Sequence, residues 1–141
     1  VSEMEHHANL IPWHMLRDDG RGIGLGVIRV TDAGELDLDS LRAELAKGDV
    51  GLVAVTHMSN VLGTVTPAAA IARMAHEAGA RVLFDGSQAA VHRRVDVQAL
   101  DADFYVFTGH KLYGPTGIGV LYAKHELLMA MPPCLGGGDM I

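Results

Sequence analysis

Two periods of apolar residues alternate along this 141-residue chain. Short, mostly apolar runs at Leu52–Val55, Arg81–Phe84, Phe104–Phe107 and Ile118–Tyr122 predict strands, and their lack of a polar face predicts burial on both sides. Between them, helical spacing takes over. Leu38, Leu41 and Leu45 share one face of a helix predicted over Leu38–Ala46, closed by Gly48. A second helix is predicted over Pro67–Ala78, with the proline in its first turn and Gly79 just past its end. Val27–Val30 reads as a short strand, Asp32-Ala33-Gly34 as a turn, and Val95–Leu100 as a short helix or turn. Residues 2–17 form a helix or a loop leading into one. Residues 18–26 are a glycine-rich turn region, and His125–Met131 reads as a helix stopped by Pro132-Pro133. This alternation predicts an α/β fold: a mostly parallel sheet with flanking helices, whose ligands gather at the carboxyl ends of the strands.

Composition narrows the picture. The length is that of one domain. Apolar residues make up 49% of the chain and aromatic ones only 5%, so aliphatic side chains fill the core. Seventeen glycines imply many tight turns or backbone lying close to a ligand. A net charge of -6, with no basic stripe, argues against nucleic acid as a partner. No apolar run approaches the length of a membrane span. The single cysteine, Cys134, excludes an internal disulfide and fits a cytoplasmic protein. Neither it nor the histidines show zinc-like spacing, so no metal site is expected. The chain opens on Val1 and ends on G-G-G-D-M-I, and both ends look cut.

The candidate chemistry lies at three strand ends. These carry Thr56-His57-Met58-Ser59-Asn60, then Asp85-Gly86-Ser87-Gln88, then Thr108-Gly109-His110-Lys111. An amide, a carboxylate with an amide, and a lysine with two phosphate-compatible donors suit pyridoxal phosphate. That cofactor needs an amine for its aldehyde, an acid beside its pyridine nitrogen, and donors for its phosphate. Lys111 is the best-placed lysine, between a buried strand and a glycine-rich turn, where desolvation would lower an amine's pKa. A surface-loop lysine is the plain alternative. Lys47 reads as a solvated helix end and Lys124 as surface. Asp85 follows R-V-L-F at the sheet end, where a carboxylate needs a partner; a turn or helix-cap aspartate is the alternative. Gln88 comes one helical turn later. His6 and His7 could stack, bind metal or be solvated, although neighbours on a helix diverge in direction. G-I-G-L-G at 22–26 precedes a strand where a dinucleotide fingerprint follows one, and G-H-K-L-Y-G-P-T at 109–116 lacks the lysine position of a phosphate loop.

These segments together resemble a known family. M-E-H-H-A-N-L-I-P-W (4–13), T-H-M-S-N-V-L-G-T (56–64), V-L-F-D-G-S-Q-A (82–89), the run from Val95 to Tyr122, and M-P-P-C-L-G-G-G-D-M-I (131–141) resemble the cysteine desulfurase and selenocysteine lyase group of class V aminotransferase-like, fold-type I pyridoxal phosphate enzymes. The match is closest to the type II, sulfur-mobilisation desulfurases and covers essentially the whole chain. The resemblance implies that Lys111 is the Schiff-base lysine and that His6 stacks on the pyridine ring and assists proton transfer. It implies that Asp85 pairs with the ring nitrogen, Gln88 bonds the ring hydroxyl, Asn60 lies near that edge and the substrate, and Thr108 and His110 bind the phosphate. It further implies conversion of L-cysteine to alanine, with sulfur passed to an enzyme cysteine as a persulfide and on to an acceptor protein for iron–sulfur cluster supply, in a homodimer.

In that family the sulfur-accepting cysteine lies beyond the G-G-G segment, so Cys134 is not assigned that role. Residues 1–141 are expected to be the central part of the large cofactor domain, without its N-terminal segment and the C-terminal small domain, and inactive alone. A selenocysteine lyase acting on L-selenocysteine, or another class V enzyme, is the alternative reading, as is a non-catalytic truncated fragment.

Overall fold

The computed structural model describes residues 1–133 and 136–137. Four strands build its sheet: β1 (Leu52–Thr56), β2 (Arg81–Asp85), β3 (Phe104–Thr108) and β4 (Gly119–Ala123), in that spatial order. The first three run parallel and β4 returns antiparallel to β3. The register aligns Thr56 with Asp85 and Asp85 with Val106, so β1 and β2 end at one level while β3 runs on to Thr108 beside β4.

The helices form where local signals agree with burial. α1 (Ile11–Asp18) follows a short 3-10 helix at His7–Asn9. α2 (Leu38–Leu45) is capped by the Asp37 carboxylate, which accepts from the amides of Asp39 and Ser40 at 3.0 Å, and it buries Leu41 and Leu45. α3 (Ala68–Glu77) buries Ala68, Ile71, Ala72 and Ala75, a stripe at i, i+3, i+4 and i+7. Its alanines let the helix lie close on β2. Gly48 and Gly79 end α2 and α3 with φ of 76° and 77°, a conformation costly for other residues. α4 (Ala89–His92) is a single turn, too short to leave a periodic signal, and α5 (His125–Ala130) follows β4. Val55, Ile71, Val82 and Phe84 are fully buried at the centre of the core. Each contributes about 1.5–3 kcal/mol by leaving water.

Two expectations change. Val27–Val30 forms no strand: Ile28 and Val30 make only isolated bridges, to Ser2 and Leu36. Side chains take the amides a ladder would use, with Val30 N donating to the Glu3 carboxylate at 2.8 Å and Arg29 N to the Ser40 hydroxyl at 3.1 Å. Lys124 is not a plain surface lysine. Its Nζ lies 2.7 Å from Asp101 and 2.9 Å from Asp103, and His76 bridges the same two carboxylates. Sequence spacing cannot show this, because the members come from α3, the turn before β3 and the junction between β4 and α5. Val95–Leu100 is a turn, held by Asp96 accepting from the amides of Gln98 and Ala99. No described helix is long and apolar enough to cross a membrane.

Candidate functional site

The parallel strands deliver their polar ends to one cavity of about 290 Å³. β1 leads into Thr56, Met58 and Asn60 on its wall. β2 supplies Asp85, with Ser87 and Gln88 from the turn that follows. β3 supplies Thr108, and the 3-10 turn after it supplies His110 and Lys111. His6 and Ala8 close the cavity from the N-terminal segment. All seven residues singled out in the sequence (His6, Asn60, Asp85, Gln88, Thr108, His110 and Lys111) therefore line the same space. Cys134 lies outside the described residues.

The buried acid is the centre of this arrangement. Asp85 ends β2 at 6% exposure, and its Oδ1 accepts from the Ser87 amide at 2.9 Å. This is the turn aspartate of the plain reading, yet its carboxylate also faces the cavity. The strand level explains why: parallel pairing on both sides carries Asp85 to the sheet end without exposing it. Lys111 is half-buried, not enclosed, at the end of the 3-10 turn that follows β3. Thr108 Oγ1 and His110 Nδ1 lie 2.8 Å apart, so two potential anion ligands are already oriented by each other.

His6 reaches the cavity through a device the sequence does not advertise. Glu5, beside it, accepts hydrogen bonds from the Thr56 amide at 2.9 Å, from Asn9 Nδ2 at 2.7 Å and from the Ser2 hydroxyl. The Thr56 amide is on the β1 edge that faces away from β2. Glu5 thus occupies an edge position and ties the N-terminal segment to the sheet. Burial raises the Glu5 carboxyl above the usual carboxylate range, against the opposing pull of those three bonds. Asn9 Oδ1 in turn accepts from the Trp13 indole at 3.2 Å, linking α1 to the same cluster. His6 itself is exposed, with Nδ1 accepting from the Ala8 amide at 3.1 Å; its ring centroid lies 6.2 Å from that of His7 at a 41° tilt. Among the described residues no group of three or more His, Cys, Asp or Glu could hold a metal.

Behind the cavity wall sit two residues that sequence reasoning passed over. His57 Nδ1 is 2.9 Å from the Tyr105 hydroxyl, and both are buried. Burial, then the charge of Arg93, lowers the His57 pKa; burial, then the Asp85 carboxylate, raises that of Tyr105. Tyr105 hides within an apolar strand, and His57 shares a polar run with Asn60. No spacing rule separates them from their neighbours.

A family model described as aminotransferase class-V matches residues 1–141. A cysteine desulfurase of Dickeya dadantii (strain 3937) is 63% identical over all of this chain, and one of Enterobacter sp. (strain 638) is 57% identical. In each case the match spans 34% of the relative, so the chain corresponds to about a third of those proteins' length. Among solved structures, the cysteine desulfurase CsdA of Escherichia coli superposes with a TM-score of 0.92 at 50% identity, over 99% of this chain and 34% of that one. SspA in complex with cysteine gives 0.84 at 28% identity, over 98% of this chain and 39% of that one. The likeness extends to the whole mostly parallel layer, including the strand ends that meet at the cavity. Matched by its family model from the first residue to the last, the chain belongs to the aminotransferase class-V family.

Proposed function

We propose that this chain builds the pyridoxal phosphate seat of a cysteine desulfurase. One observation carries the reading: a buried carboxylate, an amine and a hydroxyl–imidazole pair converge on one cavity from adjacent strands. The donor set fits the cofactor's three demands. Asp85, held by the Ser87 amide, would face the ring nitrogen, where a buried carboxylate favours the protonated form. Gln88 would meet the ring hydroxyl, with Asn60 near that edge and the substrate. Thr108 and His110 would hold the phosphate. When bound, pyridoxal phosphate supplies an electron sink for negative charge developing at the substrate Cα.

Lys111 Nζ would anchor the cofactor's aldehyde carbon. As a free amine, the same group would be the base for the substrate Cα proton. His6 would cover the ring face and assist proton transfer, its position fixed through Glu5. The substrate on this reading is L-cysteine, supported by the named activity of the relatives. Its sulfur would pass to a cysteine elsewhere in the enzyme and then to an acceptor protein, in a cytoplasmic homodimer.

The test is spectroscopic. The native protein and its Lys111→Ala variant are incubated with pyridoxal phosphate, freed of excess, and scanned. A band at the visible edge that borohydride traps in the native protein and that the variant lacks is the expected result. A band of equal strength in both would refute the assignment of Lys111, and absence of any band from the native protein would refute the cofactor.

A further inference from the structure

Resting on the cofactor reading above, we infer that His57 and Tyr105 form a buried positioning pair that sets the direction in which Asp85 meets the cofactor ring. Neither is among the residues that line the cavity. His57 follows β1 and Tyr105 lies in β3, so their 2.9 Å bond reaches across the middle strand just past Asp85. Gly86 makes the crossing possible. A Cβ at that position would overlap Cε1, Cζ and Oη of Tyr105, so the ring edge lies directly on the glycine backbone.

The same turn is held by its main chain. The His57 amide donates to the Asp85 carbonyl at 2.9 Å, and the Gly86 amide donates to the Val106 carbonyl at 2.7 Å. The Asp85–Gly86 peptide is therefore fixed from both neighbouring strands and packed by the tyrosine ring. The His57 ring adds a tilted contact with Phe84, centroids 6.0 Å apart, and an edge-on contact with Tyr105 at 5.8 Å. Residues on either side of the Asp85 side chain are thus immobilised by one histidine–tyrosine unit.

The charge state of the pair follows from its surroundings. Burial, with Arg93, disfavours charge on His57, and burial, with Asp85, disfavours ionisation of Tyr105. Both groups are neutral near pH 7. Nδ1 and the phenol oxygen share one proton-mediated bond, its donor set by the imidazole tautomer. A neutral pair lies behind the acid and adds no charge to compete with a ring nitrogen for Asp85. Loss of the hydroxyl or of the imidazole would leave those main-chain bonds but loosen the side-chain packing on the turn, and the carboxylate's direction would shift with it.

Tyr105→Phe and His57→Gln in the native protein test this. Tyr105→Phe keeps the ring against Gly86 and deletes only the hydroxyl. Three readouts apply: the pyridoxal phosphate dissociation constant, the pH midpoint of the visible absorbance band, and the melting temperature of the cofactor-free protein. Ile71→Val, a core change on α3 remote from the turn, is the control. The expected result is a roughly 2- to 10-fold weaker cofactor affinity, the range of one lost hydrogen bond, and a displaced band midpoint in both variants. The control changes melting alone. A native protein with the band, and variants whose affinity and midpoint equal its own, would overturn the pair's role while leaving the cofactor reading intact. A native protein without the band would overturn both. If Tyr105→Phe does not fold, His57→Gln decides alone.

Discussion

Asp103 offers the sharpest test of how the lower end of the sheet is held. It is buried at 5% exposure and accepts from three directions: the Val82 amide at 2.8 Å, His76 Nε2 at 2.8 Å and Lys124 Nζ at 2.9 Å. In Asp103→Ala the Val82 amide, on a fully buried residue of β2, loses its acceptor. An unsatisfied buried donor costs about 1–3 kcal/mol. His76 and Lys124 are partly exposed and retain Asp101, so their loss adds about 1 kcal/mol or less. The expected destabilisation at pH 7 is therefore about 1–4 kcal/mol.

The pH dependence separates charge from packing. Burial pushes the Asp103 carboxyl up, but the bonds from Lys124, His76 and Val82 outweigh it and hold the group below the usual carboxylate range. A depressed acid binds its proton more weakly folded than unfolded. Its stabilisation is then fully present above the unfolded value of about 3.9 and is lost as pH falls through the folded one. Urea unfolding of both proteins from pH 7 down to pH 3 measures this. The gap between them should narrow below about pH 4. A gap below about 1 kcal/mol at pH 7, or one that stays constant to pH 3, would refute the reasoning and leave only packing.

Two further outcomes follow from the site. Gly86→Ala should destabilise the protein by about 2–4 kcal/mol, through overpacking and strain on the buried tyrosine bond. In a Tyr105→Ala background the same change should cost little, so a double-mutant cycle in urea without coupling would contradict the packing of ring on glycine. Glu5→Ala removes the acceptor of the Thr56 amide. Hydrogen exchange at Thr56 should quicken markedly while exchange at Val55, inside β1, stays slow; equal protection at both in the variant would rule out the tether between His6 and the sheet.

The sequence alone determined the α/β class, because three apolar runs without a polar face have few other homes than a covered parallel sheet. It also carried the main candidate residues, since Asp85, Lys111 and their neighbours sit where those runs end and polar chemistry begins. It could not place Val27–Val30, whose amides are taken by Glu3 and Ser40 instead of a neighbouring strand. Nor could it reveal that Lys124 serves two aspartates, or that Glu5 anchors His6 to an edge 51 residues away. Tyr105 and Gly86 are the clearest case: one reads as strand core and the other as a turn, and only the tertiary structure brings the ring onto the missing side chain. Local runs report which residues are buried, because burial on a strand or helix has a period. Which polar group meets which is decided by strand order and register, and these come from pairing between distant segments that no local period encodes.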